Sequence, residues 1–189
     1  AYIAGLEKLA ARGGDLGRVI SVASLFVSRI DVAVDSELEK IGEQSLLGKI
    51  AIANSKACYV LFRQIFAGER WEKLAVLGAS VQRPLWASTG TKNPAYPDTL
   101  YVDSLIGSDT VNTAPPATLD AFLDHGHVAV TVGTGVDEAY DQLARLAALG
   151  IDLEKINQTL LDDGVASFAK AFDSLLASVE GKQQRLLSS

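Results

Sequence analysis

The hydrophobic positions of this chain follow two patterns in alternation, one typical of helices and one typical of buried strands. At the start, Ile3, Leu6 and Leu9 recur at helical spacing, and Gly13-Gly14 ends the helix predicted over residues 1–12. Residues 19–28 form a nearly continuous run of apolar and small residues, as in a parallel strand covered on both faces. Further strands are predicted over 83–88 and 110–113, and residues 127–133 form a strand or a loop edge. Further helices are predicted over 44–66, 69–77, 99–106, 116–123, 136–149 and 151–187. The helical pattern is broken near Gly150 and Gly164, and Asp152 is the predicted N-cap of the last helix.

Strands that alternate with helices predict a parallel α/β sheet. The sequence has no internal repeat and no linker, so we predict one domain over residues 1–189. Three or four strands leave an open sheet with bare edges, whereas about 250 residues close a (β/α)8 barrel. The chain also contains no methionine and begins at Ala1 inside a helical pattern. We therefore expect part of a larger barrel; the alternative is a processed chain that lacks methionine.

Composition narrows the possible functions. The chain has 17 Lys and Arg against 23 Asp and Glu, a net charge of −6, which argues against a protein that coats duplex nucleic acid. One cysteine excludes a disulfide framework, and two histidines (His125 and His127) leave little for a zinc site. No apolar run approaches the roughly 18 residues that a membrane span needs, and the first residues lack a secretory pattern. We expect a cytoplasmic protein that contacts neither nucleic acid nor membrane and binds no metal.

The first predicted strand carries candidate binding residues at its end. Because side chains alternate along a strand, Ser24, Phe26 and Ser28 share one face, and Arg29 follows directly. A hydroxyl, a ring and a guanidinium at the end of a strand can form a pocket for a phosphate or a sugar, since arginine presents a planar fork to phosphate oxygens. The alternative is a packed barrel core in which Arg29 pairs with Asp31 or Asp35.

The second predicted strand repeats this arrangement. Trp86 and Ser88 share a face, and the loop beyond them contains Gly90 and Lys92. Such a loop can hold an anion through backbone N–H groups and the lysine ammonium, and glycine allows a close approach of the backbone. The alternative is an ordinary turn between a strand and a helix.

Four segments together resemble the transaldolase family, in the longer bacterial branch. They are 24–31 (SLFVSRID), 83–94 (RPLWASTGTKNP), 98–102 (DTLYV) and 109–119 (DTVNTAPPATL). The resemblance runs over nearly the whole chain. It implies a (β/α)8 TIM barrel, of which this chain covers about the last three strands with their helices. It also implies transfer of a dihydroxyacetone unit from sedoheptulose 7-phosphate to glyceraldehyde 3-phosphate in the pentose phosphate pathway, through a lysine Schiff base and without a cofactor.

The resemblance also assigns roles to single residues. Ser24 and Arg29 fall on the phosphate-binding serine and arginine of the family, Phe26 on the ring between them, and Lys92 near a second phosphate-binding arginine. The Schiff-base lysine of the family lies on strand four and its acid/base carboxylates on strands one and three, all upstream of Ala1. The chain would then contain no catalytic residue and be inactive alone, with phosphorylated sugars and the N-terminal part of the barrel as partners.

Two other functions stay open at this point. One is a non-catalytic half-barrel that binds phosphorylated ligands or a partner chain and covers its sheet edges by association. The other is a different Schiff-base aldolase on the same barrel, which should not share the segments 86–92 and 109–119 together.

Overall fold

The structure, a computed structural model, describes residues 1–187. Three strands and eight helices follow one another along the chain, with a 3-10 turn at Leu16–Arg18. The strands are β1 (Ser21–Phe26), β2 (Gln82–Ala87) and β3 (Val111–Thr113). The helices are α1 (Tyr2–Ala11), α2 (Val27–Lys40), α3 (Ile50–Ile65), α4 (Glu69–Ala75), α5 (Leu100–Ser104), α6 (Pro116–His125), α7 (Val136–Ala148) and α8 (Leu153–Leu187).

The three strands form one parallel sheet in the order β1-β2-β3. Phe26 pairs with Ala87, which pairs with Thr113, so all three strands end at the same edge. Within residues 1–187 the sheet is open and does not close on itself. The predicted parallel α/β arrangement is confirmed.

The two faces of the sheet differ in burial. Pro84 and Trp86 of β2 are buried on one face, and Trp86 is paired with Leu25 of β1. Ser24 and Phe26 lie on the other face and are exposed. The alternation predicted for β1 is confirmed only in part, because Leu25 is half-buried whereas Ala23, on the same side of the strand, is exposed like Ser24.

Helices begin and end where glycines change the backbone direction. The prediction of a helix over 44–66 is wrong at its start, because α3 begins at Ile50. Residues 41–49 form turns in which Gly42 and Gly48 have φ of 73° and 68°, a left-handed conformation that glycine adopts without strain. Residues 127–133 contain no strand, which agrees with the loop interpretation.

The chain forms two compact units, Ala1–Ile151 and a second from Asp152 onward. In the first, α3 packs against α2 and α7, and a smaller core unites Leu6, Leu16, Trp71 and Leu74. The second contains α8, in which no described residue is buried. The Asp152 carboxylate accepts from the Lys155 N–H at 3.1 Å, so the predicted N-cap is confirmed.

The predicted break near Gly164 is wrong, since α8 runs through this residue. A glycine inside a helix costs only about 1 kcal/mol relative to alanine, too little to end a helix of this length. Over residues 1–187, no helix has both the length and the apolar character needed to cross a bilayer.

Candidate functional site

The edge at which the three strands end carries most of the predicted binding residues. After Phe26 the chain turns directly into α2, and after Ala87 it enters the loop at residues 88–99, which we call the β2–α5 loop. In parallel α/β sheets, ligands bind outside the carboxyl ends of the strands, where helices present free N–H groups. This edge is therefore the candidate site.

Phe26 and Arg29 contact each other at this edge. The Arg29 guanidinium carbon lies 4.4 Å from the centre of the Phe26 ring, which is a cation–π distance. Both side chains are exposed, and Ser24 lies on the same face of β1 as Phe26. The alternative pairing of Arg29 with Asp31 or Asp35 is not what the structure has. The Phe26 ring therefore holds the Arg29 guanidinium at the edge where the strands end.

Ser88 is tied to the first turn of α2. The two hydroxyl oxygens of Ser28 and Ser88 are 2.8 Å apart, and the Ser28 N–H donates to the Ser88 carbonyl at 3.0 Å. Ser28 lies in α2 and not in the strand, so its predicted place on the face of Ser24 is wrong. A continuous apolar run does not distinguish a strand from the start of a helix.

The predicted shared face of Trp86 and Ser88 is also wrong. Trp86 is 1% exposed and donates through Nε1 to the Leu105 carbonyl at 3.1 Å, on the packed side of the sheet. Ser88 has a φ of 56°, in the left-handed region, so the alternation stops before it. Such a conformation is strained in a residue other than glycine and occurs often at functional sites.

The next residues of the loop are held against β3 and α6. Thr89 Oγ1 donates to Asn112 Oδ1 at 2.8 Å, and Thr89 is fully buried. At Gly90 an added Cβ would lie 3.1 Å from Thr118 Oγ1 and 3.3 Å from Pro115 Cγ. The close approach expected at Gly90 is therefore made to the protein itself.

Lys92 lies beside carboxylates. It lines a cleft of about 260 Å³ that is also lined by Asp31, Asp35 and Glu39 of α2. Three acidic residues in the lining disfavour a phosphate in this cleft. The role of Lys92 in phosphate binding stays a prediction, as do those of Ser24, Phe26, Arg29 and Ser88.

Asp31 is the most perturbed acid in this region. It is 1% exposed and accepts from the Ala51 N–H at 2.7 Å and from the Tyr101 hydroxyl at 2.8 Å. Burial raises the pKa of Asp31 to about 6, against the lowering effect of these two hydrogen bonds, and Asp35 adds to the rise. Asp31 is thus a buried acid whose pKa lies well above its usual range.

Replacing Asp31 with asparagine should change how stability depends on pH. Because the folded pKa is raised, the native state holds this proton longer than the unfolded state, and the free energy of unfolding falls as pH rises from about 4 to 6. Asp31→Asn removes that fall, which amounts to about 3 kcal/mol for two pKa units. Urea unfolding at pH 4 to 7 should show the stability of the variant rising relative to the original chain. Asp120→Asn, an exposed site on α6, is the control, and parallel pH curves for all three proteins would contradict this effect.

Helix α6 extends two residues beyond its predicted end, to His125. His125 ends α6, and its Nε2 lies 2.8 Å from Asp98 Oδ1 while its Nδ1 lies 3.1 Å from Asp124 Oδ2. These two carboxylates raise the pKa of His125, the Asp98 contact first. The exposed imidazole therefore joins the β2–α5 loop to the end of α6.

Sequence reasoning missed four residues that contact one another beside the site. Asp31 and Asp35 of α2 accept hydrogen bonds from Tyr101 and Tyr96, respectively. The spacing of the two aspartates, one helical turn apart, was available as an indication. Their tyrosine partners lie 61 and 70 residues further along the chain and follow only from the fold.

Comparison with known proteins identifies the family of this chain. Residues 4–179 match the family model described as Transaldolase/Fructose-6-phosphate aldolase. A protein of Neisseria meningitidis named Transaldolase is 51% identical over 177 residues, which are 94% of this chain and 49% of that protein. A protein of Mycolicibacterium smegmatis, also named Transaldolase, is 45% identical over an alignment of 186 residues, which covers 96% of this chain and 50% of that protein. A protein of Nostoc named Transaldolase 2 is 46% identical over an alignment of 200 residues, which covers 98% of this chain and 52% of that protein.

The chain thus spans about half the length of the curated relatives that it matches. An open sheet of three parallel strands, each followed by helices, is what part of a (β/α)8 barrel contains, so the predicted fold class is confirmed. The match covers most of the chain, as the four segments predicted. The chain belongs to the transaldolase/fructose-6-phosphate aldolase family of enzymes.

Proposed function

We propose that the protein containing this sequence is a transaldolase that moves a dihydroxyacetone unit from sedoheptulose 7-phosphate to glyceraldehyde 3-phosphate, and that this part of it holds the substrate phosphate. The observation that carries the proposal is the position of Arg29. Its guanidinium lies on the first turn of α2, at the carboxyl edge of the sheet, against the Phe26 ring. The names of the relatives support the reaction class.

The residues at this edge divide the work of binding. Arg29 offers two parallel N–H donors to phosphate oxygens, and the positive end of the α2 dipole favours the same anion. Ser24 lies on the same face of β1 as Phe26, and the Ser88 hydroxyl bonds that of Ser28 in the first turn of α2, so both are further candidate donors. Phosphate binding far from the reacting carbon holds the ketose carbonyl in place for attack, which lowers the entropic part of the barrier.

Two lysines of this chain, Lys92 and Lys56, are candidates for the nucleophile, and neither suits that role. A Schiff-base lysine needs a pKa lowered by burial or by a nearby cation. Lys92 is exposed and lies beside carboxylates. Burial lowers the pKa of Lys56, but Glu138 opposes this shift, and the ammonium donates to the Thr134 carbonyl at 2.7 Å, in the loop before α7. We place the Schiff-base lysine and its acid/base carboxylates on sequence outside these 189 residues.

Borohydride trapping tests this proposal. The full-length protein, incubated with a ketose phosphate and sodium borohydride, should lose activity and gain the mass of one reduced dihydroxyacetone adduct on a lysine, because borohydride reduces the Schiff base. The 189-residue chain under the same conditions should gain no mass. The control is borohydride without sugar. An adduct on Lys92 or Lys56 would contradict our placement of the nucleophile, and a full-length protein that is never trapped would contradict the reaction.

The same samples distinguish the non-catalytic half-barrel. That function predicts binding of a phosphorylated sugar without trapping in either protein. Isothermal titration with the sugar phosphate, carried out beside the trapping, separates binding from chemistry.

A further inference from the structure

Two aspartate–tyrosine pairs join the β2–α5 loop region to α2. Tyr101 donates to Asp31 Oδ2 at 2.8 Å, and Tyr96 donates to Asp35 Oδ2 at 2.7 Å. Each aspartate uses its second oxygen on a backbone N–H near the start of α3, Asp31 on Ala51 at 2.7 Å and Asp35 on Gly48 at 3.1 Å. Each carboxylate therefore connects three segments of the chain.

The outer pair fits tightly against the turn before α3. Gly48 has a φ of 68°, and a Cβ added there would lie 2.8 Å from Cζ of the Tyr96 ring. The ring thus packs on the glycine backbone while its hydroxyl reaches Asp35. Asp35 is 8% exposed and Tyr96 is half-buried, so the hydrogen bond is partly shielded from water. Hydrogen bonds from a hydroxyl to a carboxylate are among the stronger ones in proteins.

The segments joined in this way carry the candidate phosphate site. The first turn of α2 contains Ser28 and Arg29, and the β2–α5 loop begins with Ser88 and includes Lys92. The middle of that loop, residues 91–97, has no regular secondary structure. The position of the loop relative to α2 therefore depends on side-chain contacts such as that of Tyr96.

We propose that Tyr96 and Asp35 are positioning residues for the phosphate site, which hold the β2–α5 loop in the arrangement that binds substrate. This inference rests on the proposed function. Without the Tyr96 hydroxyl the loop spends less time in the binding arrangement, and the apparent dissociation constant rises in proportion. The bound complex keeps the ordered loop, so KM rises while kcat stays nearly constant.

Tyr96→Phe is the informative variant, because it keeps the ring against Gly48 and removes only the hydroxyl. Asp31 and Tyr101 are both 1% exposed, so a change there would alter stability as well as binding. Tyr59→Phe is the matched control, since it removes a tyrosine hydroxyl that bonds the Ser108 carbonyl at 3.1 Å, in a different loop.

The experiment uses the full-length enzyme with two readouts. In Tyr96→Phe, KM for the sugar phosphate should rise about 3- to 10-fold with kcat changed by less than roughly two-fold. Amide hydrogen exchange over residues 89–99 should be faster in this variant. Tyr59→Phe should change neither quantity. Unchanged exchange in Tyr96→Phe, or faster exchange with an unchanged KM, would overturn the positioning role.

Failure of the proposed function gives a different result. If the original enzyme has no transaldolase activity, that function fails, and titration with inorganic phosphate then decides the inference. Weaker phosphate binding by Tyr96→Phe than by Tyr59→Phe would support it. Equal binding by the two variants, or no phosphate binding at all, would overturn it.

Discussion

Replacing Arg29 with alanine in the full-length enzyme should lower kcat/KM for a phosphorylated ketose by about 10- to 100-fold, because a hydrogen bond to a charged group contributes about 1.5–3 kcal/mol. The side chain is exposed and lies on the first turn of α2, so the fold does not depend on it. If Arg29 binds the phosphate equally in the ground state and the transition state, most of the loss should be a rise in KM. If phosphate binding also orients the carbonyl for attack, part of the loss should be a fall in kcat.

Two comparisons separate phosphate binding from a general loss. Arg29→Lys keeps the charge but not the planar fork, and should recover only part of the activity. Arg63→Ala, at the exposed end of α3, should have no effect. Steady-state kinetics with a phosphorylated substrate and its unphosphorylated analogue complete the design. An equal loss for both substrates would remove Arg29 from the phosphate site.

Replacing Trp86 with alanine should reduce the free energy of unfolding by about 3–5 kcal/mol, the range for large aromatic side chains removed from a core. Trp86 is 1% exposed, lies on the central strand β2 and donates to the Leu105 carbonyl. The alanine variant loses the packing of the indole ring on the buried face of the sheet, and it leaves the Leu105 carbonyl without its hydrogen-bond donor.

Trp86→Phe tests how this loss is divided. It keeps much of the apolar volume and removes the Nε1 donor, so it should cost about 1–3 kcal/mol, less than alanine. Urea unfolding followed by circular dichroism measures both variants. Equal losses for alanine and phenylalanine would mean that the hydrogen bond, and not the packing, dominates at this position.

The sequence predicted the parts of the fold that depend on local pattern. Gly13-Gly14 correctly predicted the end of α1 near Ala11, and the alternation along β1 correctly separated Leu25 from Phe26, although Ala23 is exposed. Helix α2 (Val27–Lys40) was not predicted, because the apolar run continues unchanged from the strand past Val27 and the helical spacing of Ile30, Val34 and Leu38 beyond it was not recognised. The family resemblance added what periodicity does not contain, namely the barrel and the reaction class.

The candidate site was predictable only as far as its residues lie close in sequence. Phe26 and Arg29 are three residues apart and do contact each other. The hydrogen bond between Ser28 and Ser88 depends on the left-handed backbone conformation of Ser88, which the pattern of apolar positions does not predict. The pairing of Asp35 with Tyr96 spans 61 residues, so it follows from the packing of a loop on a helix and not from either segment alone.

The place of β1 in the sheet has a practical consequence. Within residues 1–187 this strand pairs on one side only, with β2. Its six residues, SVASLF, include no charge and no proline, the features by which proteins discourage pairing at a sheet edge. A strand from a second molecule can add there through backbone hydrogen bonds, so refolding this chain by itself favours dilute solution or a supplied neighbouring strand over concentration.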